Sequence, residues 1–576
     1  MTNTKPLPRL RRAAHLSLAL LGTASGGAQA VADDSRVNTE LAQFQQRFSE
    51  DAAPTEVAPG VYAVFGPDYA NYSVVEGSDG LIVIDSGWYP GTTRPIWQDI
   101  QKKLNKPVAA LVYTHPHTDH FGGATAILEG AKQDVPIFGP EGWKELISYN
   151  TQNLYFMVYE RVYEQMGILL PRGPEGTVGS GVGPSPRPDG NPVFIPPTVT
   201  IDKPMRLTIA GVDIEFIPSP GDIESNMLVW LPEKEVLFTG DVMGGIMPYI
   251  ATPRFEPGRS PANYIKTLSR GLALSPKAVV PGHGRLLQGE EDVRDVMQSN
   301  IDLIRFLSDQ VKRYAAKGYS ADRIIDTLVL PPRLANHPDL QPHYHRLDWI
   351  IRGLTLKTAG FVGDVNDLSR LTDSEESRRM IALMGGRERV LAAIGEAIDD
   401  RDPRWAASLA TRLLELDNND RQARDLRLKA FADVAATTRS APERNYLLTT
   451  IKEETSGIDW AEVLGPRAAL IADKRTSGDL LEDMRYRYRA EDAGEQALEV
   501  AVQVTGEPGF YRVSASNAAL VTSYTAEQPQ LPLITLDRDT LIRLWARELS
   551  WNEAYDTKRV TVSDAPAAQL FDLIDD

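Results

Sequence analysis

Four residues with metal-ligating side chains, His115, His117, Asp119 and His120, fall within six positions of the run Thr114-His115-Pro116-His117-Thr118-Asp119-His120-Phe121-Gly122-Gly123. The apolar stretch Ala109-Ala110-Leu111-Val112-Tyr113 before them predicts a buried strand, and Ala124-Thr125-Ala126-Ile127-Leu128 after them predicts a helix. The ligands therefore belong to a strand-to-helix loop. His115 and His117, two apart in extended backbone, project to the same side, while Asp119 and His120 lie beyond the bend and can face a second ion. This run takes three of the chain's eight histidines, a concentration that scattered structural histidines do not produce. The chain has no cysteine, so it has no disulfides, and any ion must be held by imidazole and carboxylate groups.

At 576 residues the chain exceeds what one core can organise, and its length suggests three or four domains. The net charge of -17 argues against binding of a nucleic-acid backbone, while leaving room for a local basic pocket for a small anion. Arg9, Arg11 and Arg12, an apolar stretch around Leu16 to Leu21, and Ala28-Gln29-Ala30 have the layout of a signal peptide over residues 1–30, cleaved after Ala30. Arg11-Arg12 leaves both Sec and twin-arginine export open. The apolar run is too short to span a bilayer, so the expectation is a periplasmic or secreted protein without membrane insertion.

Short strands are predicted at 60–65, 72–75 and 81–85, then a helix from Ile96 to Leu104 leading to the ligand loop. This strand-rich start and the His-x-His-x-Asp-His signature resemble the metallo-β-lactamase superfamily. The resemblance implies an α/β fold, an αββα sandwich with metals at one edge. Phe121 to about Gly167 reads as helical, and Leu170 to Gly183 followed by Pro184 to Pro197 reads as a long irregular loop of functional type. Its glycines lack the Lys-Ser/Thr ending of a P-loop, which excludes nucleotide binding on that ground. The loop is similar to the Leu-Leu-Pro-x-Gly-Pro and Ile-Pro-Pro segments of the alkyl sulfatase branch, here Leu169-Leu170-Pro171-Arg172-Gly173-Pro174 and Ile195-Pro196-Pro197.

Strands are predicted again at 205–209, 212–217, 227–230 and 236–238, the second and the last of them leading to candidate ligands. Asp222 follows Pro220-Gly221, Asp241 ends Thr239-Gly240-Asp241, and His283 sits in Pro281-Gly282-His283-Gly284. The alkyl sulfatase resemblance implies His115, His117 and Asp222 on one ion, Asp119, His120 and His283 on the other, and Asp241 with a hydroxide between them. Glu224 is the alternative to Asp222. Three carboxylates and a hydroxide then balance two divalent ions, and the N/O donors suit zinc, with manganese or iron as alternatives. Counting from Asp241 as the family does places Arg254 and Arg259 at the sulfate group. The chain departs from the family pattern at Gly245, Pro248 and Trp349, where histidines are usual, and His343 or His345 could stand in as proton donor.

Residues 31–299 are read as the catalytic domain, 300–455 as helical and 456–576 as a small α/β domain. The helical part contains a tetratricopeptide-like pair around Trp405 to Leu426 and resembles the alkyl sulfatase dimerisation domain, which implies a homodimer; a helical module that only packs on its own catalytic domain is the alternative. The last part resembles a sterol-carrier-like domain, which implies an apolar groove for an alkyl tail. The expected function is hydrolysis of alkyl sulfate esters by an exported two-zinc enzyme. The alternatives are another ester on the same site (lactone, carboxylic ester or phosphoester) and a non-catalytic assembly protein.

Overall fold

The computed structural model describes residues 36–49, 52–131, 134–143, 155–254, 259–493, 497–516 and 519–575. The signal-like segment lies outside them, as does the helical reading of residues 144–154. Two sheets face each other in the first half of the chain. The first runs in sequence order through β1 (Thr55–Ala58), β2 (Val61–Val64), β3 (Tyr72–Glu76), β4 (Leu81–Ile84), β5 (Val108–Val112), β6 (Ile137–Pro140) and β7 (Val199–Ile201). It is antiparallel up to β4 and parallel from there on. The second contains β8 (Met205–Ile209), β9 (Val212–Pro218), β10 (Met227–Leu231), β11 (Val236–Phe238), β12 (Ala278–Val280) and β13 (Leu287–Gln288), again in sequence order.

Side chains alternate across each strand, and here both faces are covered, so the central strands are apolar throughout rather than striped. In β10, Met227, Val229 and Leu231 enter the core between the sheets beside Ile82, Ile84 and Val112. Leu228 and Trp230 point the other way, into a core shared with the helices Pro261–Ala273 and Glu290–Ala315. On the far side of the first sheet, Val83 and Leu111 pack on Trp97, Ile100 and Ile127 of two more helices. The layers are thus helix, sheet, sheet, helix, the expected α/β sandwich.

Two expectations change in detail. The stretch read as continuous helix from Phe121 is broken by β6, where Pro136 and Pro140 interrupt any helix and Ile137 and Phe138 fill the next place in the sheet. The division at residue 299 falls inside the helix Glu290–Ala315, whose Val296, Ile301, Ile304 and Leu307 all belong to the core under the second sheet.

Antiparallel helices follow, including Arg387–Asp399, Pro403–Leu414 and Arg421–Thr437, the last two capped by Asp402 and Asp420 accepting from backbone N–H groups. The C-terminal part forms a third sheet, from β14 (Leu498–Thr505), β15 (Phe510–Ser516), β16 (Ala519–Thr525), β17 (Leu533–Asp537) and β18 (Val560–Val562), in the order β16-β15-β14-β17-β18. The helix Tyr155–Met166 joins this module to the sandwich. Tyr155, Tyr159 and Tyr163, spaced i, i+4, i+8, enter the C-terminal core, while Val162 and Met166 enter the catalytic one. Among the described residues no helix is long and apolar enough to cross a membrane.

Candidate metal centre

Every candidate ligand lies just past a strand end at one edge of the sandwich. His115 follows β5, Asp222 follows β9, Asp241 follows β11 and His283 follows β12. β11 and β12 are parallel, and β9 runs the same way because β10 is antiparallel to both β9 and β11. Strand direction alone therefore brings distant sequence segments to one place, the carboxyl ends where open α/β sheets bind ligands.

The side chains converge in two sets that share Asp241. Asp119, His120, Asp241 and His283 form one, and His115, His117 and Asp241 the other. Asp241 Oδ2 lies 3.3 Å from His115 Nε2, 3.4 Å from His117 Nδ1 and 3.3 Å from His283 Nε2, and its Oδ1 lies 3.3 Å from His120 Nε2. Asp119 Oδ2 is 3.1 Å from His283 Nε2 and 3.5 Å from His120 Nε2. Ligands on a tetrahedral ion with bonds of about 2.0–2.1 Å are about 3.3 Å apart, so both sets fit a cation at their centres. Asp222 Oδ2 is 3.6 Å from His117 Nδ1, on the flank of the second set. Glu224 is exposed and accepts from Asn263, so it does not compete for that place.

A second layer fixes these rings. Asp85 accepts from Thr114 N and Thr114 Oγ1, both at 2.8 Å, and holds His120 Nδ1 at 2.9 Å. His283 Nδ1 donates to Tyr69 O at 3.1 Å. Such partners select the ring nitrogen offered to an ion. Asn71 clamps the His283 turn, its Nδ2 donating to Pro281 O at 2.9 Å and Gly284 O at 2.8 Å. Gly282 must be glycine, since a Cβ there would stand 2.1 Å from Asp241 Oδ1. Asp85 and Asn71 were not singled out by sequence; the one signal for Asp85 is an acid directly after the all-apolar Leu81–Ile84, and its φ of 59° is strained.

Electrostatics demand cations here. Burial opposes charge on every group, yet His283, His120 and His115 hold the Asp241 carboxyl well below the ordinary range. Burial alone would lower the His283 imidazole, but Asp241 and Asp119 outweigh it and raise it to about 10. Burial and the neighbouring His120 push His115 down to about 4. Buried carboxylates at one point are tolerated only with positive charge among them, and divalent ions supply more of it than imidazolium.

The two arginines separate. Arg259 is 4% exposed and stands behind Asp222, with Nε 2.8 Å from Asp222 Oδ1, and it donates to Tyr249 O. Tyr264 donates to the same Asp222 oxygen at 2.7 Å. Arg259 thus sits on a candidate ligand, where the sequence reading had it at the sulfate. Arg254 is half-buried and within electrostatic reach of Tyr69, whose ring packs 4.7 Å from that of His283. His343 is stacked on Phe44 at 3.9 Å, and His345 is buried against Tyr344 with its imidazole held neutral by burial and by Arg259 and Arg254.

A histidine–carboxylate cluster at the edge of an αββα sandwich defines a metal-dependent hydrolase of the metallo-β-lactamase class. The profile "Metallo-beta-lactamase superfamily" matches residues 65–283, and "Alkyl sulfatase dimerisation" matches 320–457. The chain is 30% identical to a linear primary-alkylsulfatase from Pseudomonas sp. (strain ATCC 19151) over 386 residues, 66% of this chain and 73% of that protein. It is 30% identical to an (R)-specific secondary-alkylsulfatase from Pseudomonas sp. over 426 residues, 72% of this chain and 64% of that one. The solved structure of the stereoselective inverting sec-alkylsulfatase Pisa1 from Pseudomonas sp. superposes with a TM-score of 0.76 at 25% identity, covering 94% of this chain and 87% of that chain. The chain belongs to the alkyl sulfatase family of the metallo-β-lactamase superfamily.

Proposed function

We propose that this protein hydrolyses sulfate esters of apolar alcohols, releasing inorganic sulfate, with two divalent ions, zinc by preference. The observation that carries the reading is the pair of ligand sets joined at Asp241, in a chain whose curated relatives act on alkyl sulfates. Ions bound there would supply Lewis acidity and water activation at neutral pH. The chain's own part is to position. Asp222 would complete the His115–His117 set, with Arg259 and Tyr264 fixing its orientation. Asp119 and Asp241 keep the acceptor charge concentrated, and Arg254 is assigned to the sulfate, for which a guanidinium fork is a good match. Tyr69, Trp88 and Tyr89, buried in consecutive ring contacts beside His283, offer an apolar wall for the alkyl chain.

The test is sulfate release from a medium-chain alkyl sulfate by purified, zinc-loaded protein, with Asp241→Ala as the blank. Release by the wild type alone is expected. None from metal-replete protein sinks the sulfate-ester reading and leaves a lactone, carboxylic ester or phosphoester, a direction to which the changes at Gly245, Pro248 and Trp349 point.

The protein is further proposed to act as an exported homodimer. Export rests on the N-terminal arginines, the apolar stretch and Ala28-Gln29-Ala30. Dimerisation rests on the matched helical region and on large apolar side chains left in water there, among them Phe361 (75% exposed), Val365 (77%), Leu368 (66%) and Leu383 (84%). Large apolar side chains left in water mark candidate interaction surfaces. Phe361→Glu combined with Leu383→Glu is expected to halve the mass measured by light scattering; an unchanged mass would remove this surface from the interface.

A further inference from the structure

Exposure in the metal cluster is concentrated on two ligands. Side chains of His115 and His120 are 0% exposed, Asp222 1%, Asp241 5% and His283 6%, whereas His117 and Asp119 reach 20% and 12%. Between those two open ligands lies Thr118, and its hydroxyl is met by a residue from the far end of the chain. Arg467, on the helix Trp460–Ala472, donates from Nη2 to Thr118 Oγ1 at 3.2 Å and to Tyr159 OH at 3.1 Å. The guanidinium lies over the Tyr159 ring, 4.3 Å from its centroid.

We propose that Arg467 is a cationic seat for the anionic head group of the substrate, contributed to the catalytic site by the C-terminal module. Its helix buries Leu464, Ala468 and Ala472 in the C-terminal core, so the module holds the arginine in place. Its charge has no carboxylate partner among the described residues; hydroxyls and aromatic faces surround it instead. Nη1 is shielded from water and makes no hydrogen bond there. A desolvated, unneutralised guanidinium costs stability unless something anionic completes it. A purely structural bridge to the metal loop would not need a charge: a neutral donor could serve Thr118 and Tyr159 equally well. A planar fork whose Nη2 already reaches the residue between the two exposed ligands, and whose Nη1 is unused, suits a tetrahedral oxyanion.

This deepens the proposed function and rests on its anionic substrate. Decyl sulfonate, whose C–S bond is not hydrolysed, is titrated calorimetrically into zinc-loaded full-length wild type, Arg467→Gln, Arg467→Lys and Tyr159→Phe, with decanol as the neutral control. The Arg467→Gln variant is expected to bind the sulfonate about tenfold or more weakly, the loss typical of a charge-assisted contact. Arg467→Lys should retain part of the affinity and Tyr159→Phe most of it, with decanol binding, zinc content and melting temperature unchanged. Equal sulfonate affinity in Arg467→Gln, or a parallel loss of decanol binding, overturns the proposal, as does a wild type that ignores the sulfonate. A wild type that binds the sulfonate through Arg467 but releases no sulfate from decyl sulfate leaves the seat standing and sinks the sulfatase reading alone.

Discussion

Asp241→Ala is expected to abolish turnover and to empty both halves of the metal centre. No other side chain belongs to both ligand sets. Its two oxygens lie 3.3–3.4 Å from the ligating nitrogens of His115, His117, His120 and His283. Removing it leaves four imidazoles, three of them buried, facing a space with too little negative charge to hold the proposed pair of dications, so loss of one ion should bring loss of the other. If both ions are needed for the reaction, kcat/KM falls by about four orders of magnitude or more, the scale on which metal activation of water contributes. Asp222→Ala should be milder, because that residue flanks one set only and is 3.6 Å from His117 Nδ1. Metal analysis on dialysed protein separates the cases: near zero for Asp241→Ala, close to one ion for Asp222→Ala. Two ions retained by Asp241→Ala would show that the sets are filled independently and that the shared carboxylate is not a bridge.

Much of this centre was legible because its signals are local. His115 to His120 share one loop, and Asp222, Asp241 and His283 each follow a Gly next to a strand end, which is visible as an apolar run closed by a turn. What was not legible depends on tertiary neighbours. The strand at Ile137–Pro140 is four residues long and gains its identity from pairing with β5 and β7. Asp85 reads as an ordinary turn acid until the fold brings Thr114 and His120 to it. Arg259 falls where the family resemblance implies a sulfate contact, yet its Nε meets Asp222, and only the packing of the helix Pro261–Ala273 under the same edge shows that. Arg467 lies 349 residues from Thr118, a separation no periodicity can encode.

The largest stability effect is expected at a different arginine. Arg444 is 2% exposed, and its guanidinium donates to four backbone carbonyls: Gly176 at 3.0 Å, Arg36 and Ala435 at 2.7 Å each, and Pro174 at 2.6 Å. Burial lowers its pKa to about 10, with Glu175 opposing. The next residue, Asn445, donates to Gly179 O at 3.0 Å and Gln165 O at 3.1 Å, so the helical domain holds down the irregular loop from Pro171 to Gly183 at successive points. That loop supports the metal centre from behind. Val182 O accepts from Gly284 N at 3.2 Å, and Gly183 lies so close to Tyr69 that a Cβ would stand 2.4 Å from the carbonyl which receives the His283 Nδ1 proton. Arg444→Met keeps much of the volume but leaves these acceptors without their donor in a site water enters poorly, a loss of about 3–5 kcal/mol. Urea denaturation should show it as a lower midpoint with an unchanged slope. Because these contacts run through Tyr69 to His283, hydrogen exchange should rise across residues 171–183, and bound metal should leave the Asp119–His120–His283 set more readily than the other. A variant that lost stability without either change would show that the loop and the metal centre are mechanically separate.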